Sequence, residues 1–178
     1  VGLSAWPLVL DTRDPDEIVE TVLHFAQGFG AIQLEDIESP VCFEVERRLV
    51  EQLEMPVLHD DQHGTAVATL AAATNAMHRA GLELSAARVG VIGLGAAGTA
   101  IARMLGAVSS HPVIGFDPGA EAIGRLRALG GEPARDIPDL MARADLVVAV
   151  TGRAGLIPVE SVRRGQGILA LTNPDPEI

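Results

Sequence analysis

The run Arg88-Val-Gly-Val-Ile-Gly93-Leu-Gly95-Ala-Ala-Gly98 constrains the fold more than any other stretch of the chain. A short apolar strand enters a turn with glycines spaced G-x-G-x-x-G, and an apolar helix follows from Ala96 to about Val108. Glycines in this arrangement permit a tight turn and let the backbone come close to a pyrophosphate, which the helix N-terminus then faces. The spacing alone is a weak signal, and a glycine turn can serve packing only; the flanking strand and helix weigh against that reading. The next strand, Val113-Ile-Gly-Phe116, ends in Asp117, 24 residues beyond Gly93. A carboxylate there is placed to bind the adenosine ribose hydroxyls of a dinucleotide. Pro118-Gly119 follow it, rather than an Arg or Lys suited to a 2′-phosphate, which favours NAD over NADP. The cofactor-binding candidates are Gly93, Gly95, Ala96, Ala97, Gly98, Asp117, Thr151 and Asn173.

Strands and helices alternate along the rest of the chain. Leu8-Val9-Leu10 is a strand candidate. Asp14-Pro15-Asp16-Glu17 opens a helix with an N-cap Asp, Pro at the first helical position and Glu three residues after the cap. Ile18, Val22, Phe25 and Phe29 form its inner face, and Gly28 and Gly30 end it. Strand Ala31–Leu34 follows, then a helix from Ser39-Pro40 with Val41, Val45, Leu49 and Leu53 as its stripe, then strand Val57-Leu58. An Ala-rich segment from Gly64 to Arg79 reads as a buried helix with Gly81 as its C-cap. After the glycine turn, helices are expected near 120–129, 137–144 and 159–164, and strands at 146–150 and 167–171. The order implies an α/β fold with a doubly wound, mostly parallel sheet of the Rossmann-like kind. The best seam is Ala80 to Ala87, dividing the chain into 1–80 and 81–178.

Two acidic clusters stand at strand ends. Glu35-Asp36 follows Leu34, and His59-Asp60-Asp61-Gln62-His63 follows Leu58. Seen alone, such a pair is more often solvated than metal-bound, because neighbouring strand residues point to opposite faces. Together, Glu35, Asp36 and one of Asp60 and Asp61 have the hard oxygen chemistry that Mg²⁺ or Mn²⁺ takes. His59 and His63 are read as hydrogen-bonded scaffolding and Cys42 as a core thiol on a helical stripe. Asn173, after the last strand, reaches substrate or the nicotinamide end of a cofactor, or else shapes the turn before Pro174.

Composition narrows the classes of partner. The 178 residues carry a formal net charge of −11, which makes nucleic acid an unsuitable ligand. One cysteine excludes an internal disulfide and fits a reducing compartment. Neither a basic-then-apolar leader nor an uncharged apolar run of spanning length is visible, so a cytoplasmic protein without membrane partners is expected.

At this point the residues resemble a family. Ala31-Ile-Gln-Leu-Glu-Asp-Ile-Glu-Ser-Pro-Val-Cys-Phe-Glu-Val-Glu46 and His59-Asp-Asp-Gln-His-Gly-Thr-Ala66 are similar to motifs of the bacterial malic enzymes. Asp11-Thr-Arg-Asp-Pro-Asp-Glu-Ile-Val-Glu20, the Gly93 loop and Asn173-Pro-Asp-Pro-Glu-Ile178 match in the same order, so nearly the whole chain is covered. The resemblance implies oxidative decarboxylation of L-malate to pyruvate and CO₂ with NAD(P) and Mg²⁺ or Mn²⁺, in a homo-oligomeric, dimeric full-length enzyme. It implies that Glu35, Asp36 and Asp61 ligate the metal, that Asp60 and Asp61 belong to the catalytic set, and that Asn173 touches malate. One departure matters: the family uses a Lys base and a Tyr acid, and this chain contains neither residue type. The chain therefore resembles the central segment of a malic enzyme, the end of a substrate and metal domain over 1–80 plus most of an NAD domain over 81–178. On that reading the isolated segment is expected to be inactive or nearly so. A non-catalytic NAD- or metal-binding module and a malolactic enzyme, which turns malate into lactate, are the alternatives.

Overall fold

The structure is a computed structural model that describes residues 2–178, and it parts into two compact units, Val1–His59 and Asp60–Ile178. The units divide some twenty residues before the expected seam at Ala80–Ala87, because the Ala-rich helix packs on elements of the second unit.

In the first unit, helix α1 spans Pro15–Phe25, strand β1 Ile32–Leu34, helix α2 Val41–Gln52 and strand β2 Val57–His59. The Asp14 carboxylate caps α1 by accepting from the N–H groups of Asp16 and Glu17. The Glu at the third helical position does not complete the expected reciprocal box. Its carboxylate accepts from the Thr12 hydroxyl at 2.5 Å, while the Asp14 N–H donates to that same hydroxyl oxygen. Strands β1 and β2 are parallel, with Ile32 opposite Val57 and Leu34 opposite His59. Ile18, Val19, Val22, Ala26, Ile32, Leu34, Val45 and Leu49 form the core, and Cys42 is buried on the α2 stripe as expected. The strand expected at Leu8–Leu10 does not form: among the described residues no strand offers it a ladder, and Val9 is 95% exposed.

The second unit opens with a wide π-helical turn, Asp60–Gly64, that runs directly into helix α3, Thr65–Arg79. Helix α3 buries one stripe, Ala66, Thr69, Ala73 and Met77, and leaves Val67 exposed, so it is amphipathic rather than buried all round. Gly81, at φ +76°, ends it: its N–H donates to the His78 carbonyl and the Leu82 N–H to the Met77 carbonyl, a Schellman closure. Then come β3 (Val89–Ile92), α4 (Ala96–Val108), β4 (Ile114–Phe116), α5 (Ala120–Ala128), β5 (Glu132–Pro133), α6 (Ile137–Arg143), β6 (Leu146–Ala149) and β7 (Gly167–Ala170). The sheet is wholly parallel, in the order β5-β4-β3-β6-β7. Strand β5 escaped the sequence pattern because it is two residues long and contains Pro133, which an edge strand tolerates. The helix expected near 159–164 is a single 3₁₀ turn, Val159–Ser161.

Period-two alternation sorts the central strands between two cores. Val89, Val91, Leu146 and Val148 face the core shared with α3 and α4, while Ile92, Val147 and Ala149 face the one shared with α6. Burial on both faces explains why these strands read as unbroken apolar runs. Among the described residues no helix is long and apolar enough to cross a membrane. Leu140, on α6, is fully buried in the second core, and Leu140→Ala is expected to lower stability by about 3 kcal/mol, read from the urea midpoint. Val159→Ala, at a 73%-exposed position, is expected to stay within about 0.5 kcal/mol of the unsubstituted protein.

Candidate functional site

The strand order reverses beside β3: the chain leaves it for β4 and β5 on one side, then crosses to β6 and β7 on the other. Strands β3 and β6 stay paired to their carboxyl ends, Ile92 opposite Ala149, and the connections that leave them run to opposite sides, which is where a doubly wound sheet opens its ligand crevice. The glycine turn fills the β3 side of that crevice. Gly93 adopts φ +88°, and a Cβ there would lie 2.7 Å from the Val150 carbonyl oxygen at the end of β6. Helix α4 approaches so closely that a Cβ on Gly98 would lie 1.8 Å from the Gly93 carbonyl oxygen. At Gly95, by contrast, a Cβ would meet no atom within 4 Å. Two glycines are thus demanded by packing, while the third leaves open space in front of the helix N-terminus.

The turn is held from several sides. The Leu94 N–H donates to Asp117 Oδ2 at 2.8 Å, and the Gly119 N–H donates to Oδ1 at 2.7 Å. The Leu94 carbonyl accepts from the Thr99 hydroxyl at 2.9 Å and from the Arg125 guanidinium at 3.0 Å. Asp117 accordingly fixes the turn with one bond to each carboxylate oxygen, and each oxygen keeps a further lone pair. Arg125 and Thr99 were not legible as site residues, since each looks like an ordinary helix residue until the fold brings it to Leu94.

A second network closes the β6–β7 side. Glu177 is fully buried. Its Oε1 accepts from the Thr172 hydroxyl at 2.5 Å, the Thr151 N–H at 2.8 Å and the Thr151 hydroxyl at 3.1 Å; Oε2 accepts from the Thr172 N–H at 3.2 Å. The tail is held beside it, with the Gly155 N–H donating to the Pro176 carbonyl and the Ile157 N–H to the Glu177 carbonyl. Burial pushes the Glu177 carboxyl up, but the hydrogen bonds from Thr172, Thr151 and its own backbone outweigh it and hold the group below its ordinary value. Thr151, expected as a cofactor ligand, spends its N–H on Glu177 and shares its hydroxyl with the same carboxylate. Asn173 lies exposed just past β7, and Ala96 and Ala97 form the first turn of α4.

The acidic clusters are placed as follows. In the first unit Glu35 and Asp36 are exposed at the end of β1; Gln33 Nε2 donates to Glu35 at 3.1 Å, and Asp36 takes φ +57°, a left-handed conformation that Asp tolerates. Glu46 on α2 accepts from the N–H of buried His59 at 2.9 Å and fixes the end of β2. In the second unit Asp60 and Asp61 lie in the π-helical turn, half-buried, and that turn packs against α4 and α3. Gly64 lets the Asp60 carboxylate fold back over it; a Cβ there would lie 2.2 Å from Asp60 Oδ1 and push that side chain away. Within either unit, among the described residues, no three His, Cys, Asp or Glu side chains group to hold a metal ion.

Residues 51–154, more than half of the chain, match the profile of the D-isomer-specific 2-hydroxyacid dehydrogenase NAD-binding domain. The chain belongs to that NAD-binding family. It is also homologous to bacterial malic enzymes along almost all of its length. The chain is 55% identical over 177 residues to NAD-dependent malic enzyme 1 of Bacillus subtilis, covering 99% of this chain and 40% of that protein. Identity to the NAD-dependent malic enzyme of Geobacillus stearothermophilus is 38% over 199 residues, again 99% of this chain and 40% of the relative. The crystal structure of the NAD-dependent malic enzyme from Thermotoga maritima superposes with a TM-score of 0.85 at 30% identity, covering 97% of this chain and 50% of that one. The chain thus spans half or less of the length of these relatives.

Two outcomes follow from this NAD-binding geometry. Gly98→Ala is expected to weaken NAD⁺ binding about tenfold or more by forcing α4 off the turn, as measured by calorimetry on folded protein, whereas Gly124→Ala, whose Cβ meets open space, is expected to leave it unchanged. Because Glu177 is held below its ordinary value of 4.5, the stability it contributes is fully present above that value and is lost as pH falls below it. The urea midpoint should therefore fall more steeply below pH ~4.5 than in Glu177→Gln, and the two should run parallel between neutral pH and that point.

Proposed function

We propose that this chain supplies the dinucleotide site and metal-ligating carboxylates of a malic enzyme, which converts L-malate and NAD⁺ to pyruvate, CO₂ and NADH. The observation that carries the reading is the packing of the Asp60–Gly64 turn against α4, the helix whose N-terminus opens the cofactor crevice. Support comes also from the motifs around Glu35 and Asp61 and from relatives that are themselves malic enzymes.

In this reading the Gly93–Gly98 turn receives the pyrophosphate on backbone N–H groups, and Asp117 takes the adenosine ribose. A carboxylate at that position repels a 2′-phosphate, so NAD is the preferred dinucleotide. Glu35, Asp36 and Asp61 present only hard carboxylate oxygens, a donor set that suits Mg²⁺ or Mn²⁺. Such an ion, when bound, supplies Lewis-acid polarisation of the oxygens at malate C1 and C2. Asp60, folded back against Gly64, holds the turn that presents Asp61. Asn173, exposed past β7, is assigned to malate and the nicotinamide end of the cofactor. The chain has neither Lys nor Tyr, and proton transfer is assigned to residues outside these 178.

The test uses the full-length protein with malate, NAD⁺ and Mn²⁺. Asp61→Ala is expected to abolish Mn²⁺-dependent NADH formation, a loss of at least ~10³-fold, while the Kd for NAD⁺ stays within about twofold. Equal loss of both would remove Asp61 from the metal set. Lactate formed without net NADH would place the protein with the malolactic enzymes instead.

A further inference from the structure

Most buried carboxylates in proteins are matched by a cation, because an uncompensated charge is costly to desolvate. Glu177 is not matched in this way. Its hydrogen-bond partners are neutral, the hydroxyls and N–H groups of Thr151 and Thr172 together with its own backbone, and among the described residues it forms no ion pair. Each threonine stands two residues past the last residue of its strand, Ala149 of β6 and Ala170 of β7, so the carboxylate ties together the two strand ends on one side of the crevice. The adenosine side is the opposite one, where Asp117 ends β4. A dinucleotide laid across a doubly wound sheet puts its second half over the strands beyond the reversal point. That places the nicotinamide half on the β6–β7 side, above the threonines that hold Glu177.

We propose that the buried, cation-free Glu177 makes the β6–β7 side of the crevice discriminate between redox states of the cofactor, favouring the cationic pyridinium of NAD⁺ over the neutral dihydropyridine of NADH. The proposal rests on the assignment of the crevice to NAD. Its physical basis is that a fixed negative charge in a medium of low polarity acts over several ångströms with little screening. Only one of the two cofactor forms carries a charge on the ring for it to act on. The four hydrogen bonds from Thr151 and Thr172 fix the charge in place, so the preference needs no rearrangement. A purely structural brace would treat the two forms alike.

Dissociation constants of NAD⁺ and NADH, measured by calorimetry on the full-length protein and on Glu177→Gln, separate these roles. Glu177→Gln keeps the shape and removes the charge; it is expected to weaken NAD⁺ about five- to tenfold more than NADH. Glu177→Asp, which keeps the charge, is expected to hold the NAD⁺/NADH ratio close to that of the unsubstituted protein. Parallel losses for both forms, or an unchanged ratio, would overturn the proposal while leaving the NAD site intact. Failure of the unsubstituted protein to bind either form would overturn both the site and the inference. Should Glu177→Gln not fold, the unsubstituted protein still decides: NAD⁺ bound at least as tightly as NADH supports the proposal, and NADH bound more tightly contradicts it.

Discussion

The second unit depends on a contact that exists only because a side chain is missing. Helix α4 meets the β3 turn with Gly98 against the Gly93 carbonyl, at a separation no Cβ would allow. That approach seats the helix N-terminus over the crevice and leaves the Leu94 carbonyl in reach of Thr99 and Arg125, and the Leu94 N–H in reach of Asp117. Close packing elsewhere follows the same rule: Gly90 lets α6 press on β3, where a Cβ would come within 2.6 Å of Leu140, and Gly115 admits Leu126 onto β4. Small residues in the strands thus set how near the helices stand, and that spacing shapes the crevice.

Around this frame the chemistry divides between two polar networks in the second unit. Asp117 organises the β3–β4 side through backbone N–H groups, and Glu177 organises the β6–β7 side through two threonines. Both carboxylates are partnered by neutral donors rather than by bases. Hydrogen bonds from N–H and O–H groups to a carboxylate are stronger than those between neutral groups, which is how Glu177 stays ionised despite its burial. The abundance of acids over bases in the chain, 24 against 13, is consistent with a site whose charge is managed by dipoles and not by ion pairs.

Much of this was legible in the residues. The alternation of strands and helices announced the doubly wound sheet, and α4 runs over Ala96–Val108, the span read after the G-x-G-x-x-G turn. Strand β5 was not legible, because two residues carry no periodicity. Leu8–Leu10 misled, because a strand needs a ladder partner as well as apolar side chains. Glu177 was invisible as a site residue for a different reason: an acid between Pro176 and Ile178 looks solvated until the fold brings Thr151 to it from 26 positions away. The compact units divide before α3 rather than after it, since α3 packs on α4 and β7, and a capped helix end such as that at Gly81 carries no signal of which neighbours the helix takes.

The proposed function, NAD-linked oxidation of malate at C2 coupled to loss of CO₂, is tested most directly with L-malate deuterated at C2. The full-length protein, given NAD⁺ and Mn²⁺, should move the deuterium to C4 of the nicotinamide and release pyruvate and CO₂ in equal amounts. Unlabelled NADH, or consumption of malate with no label on the cofactor, would contradict the account.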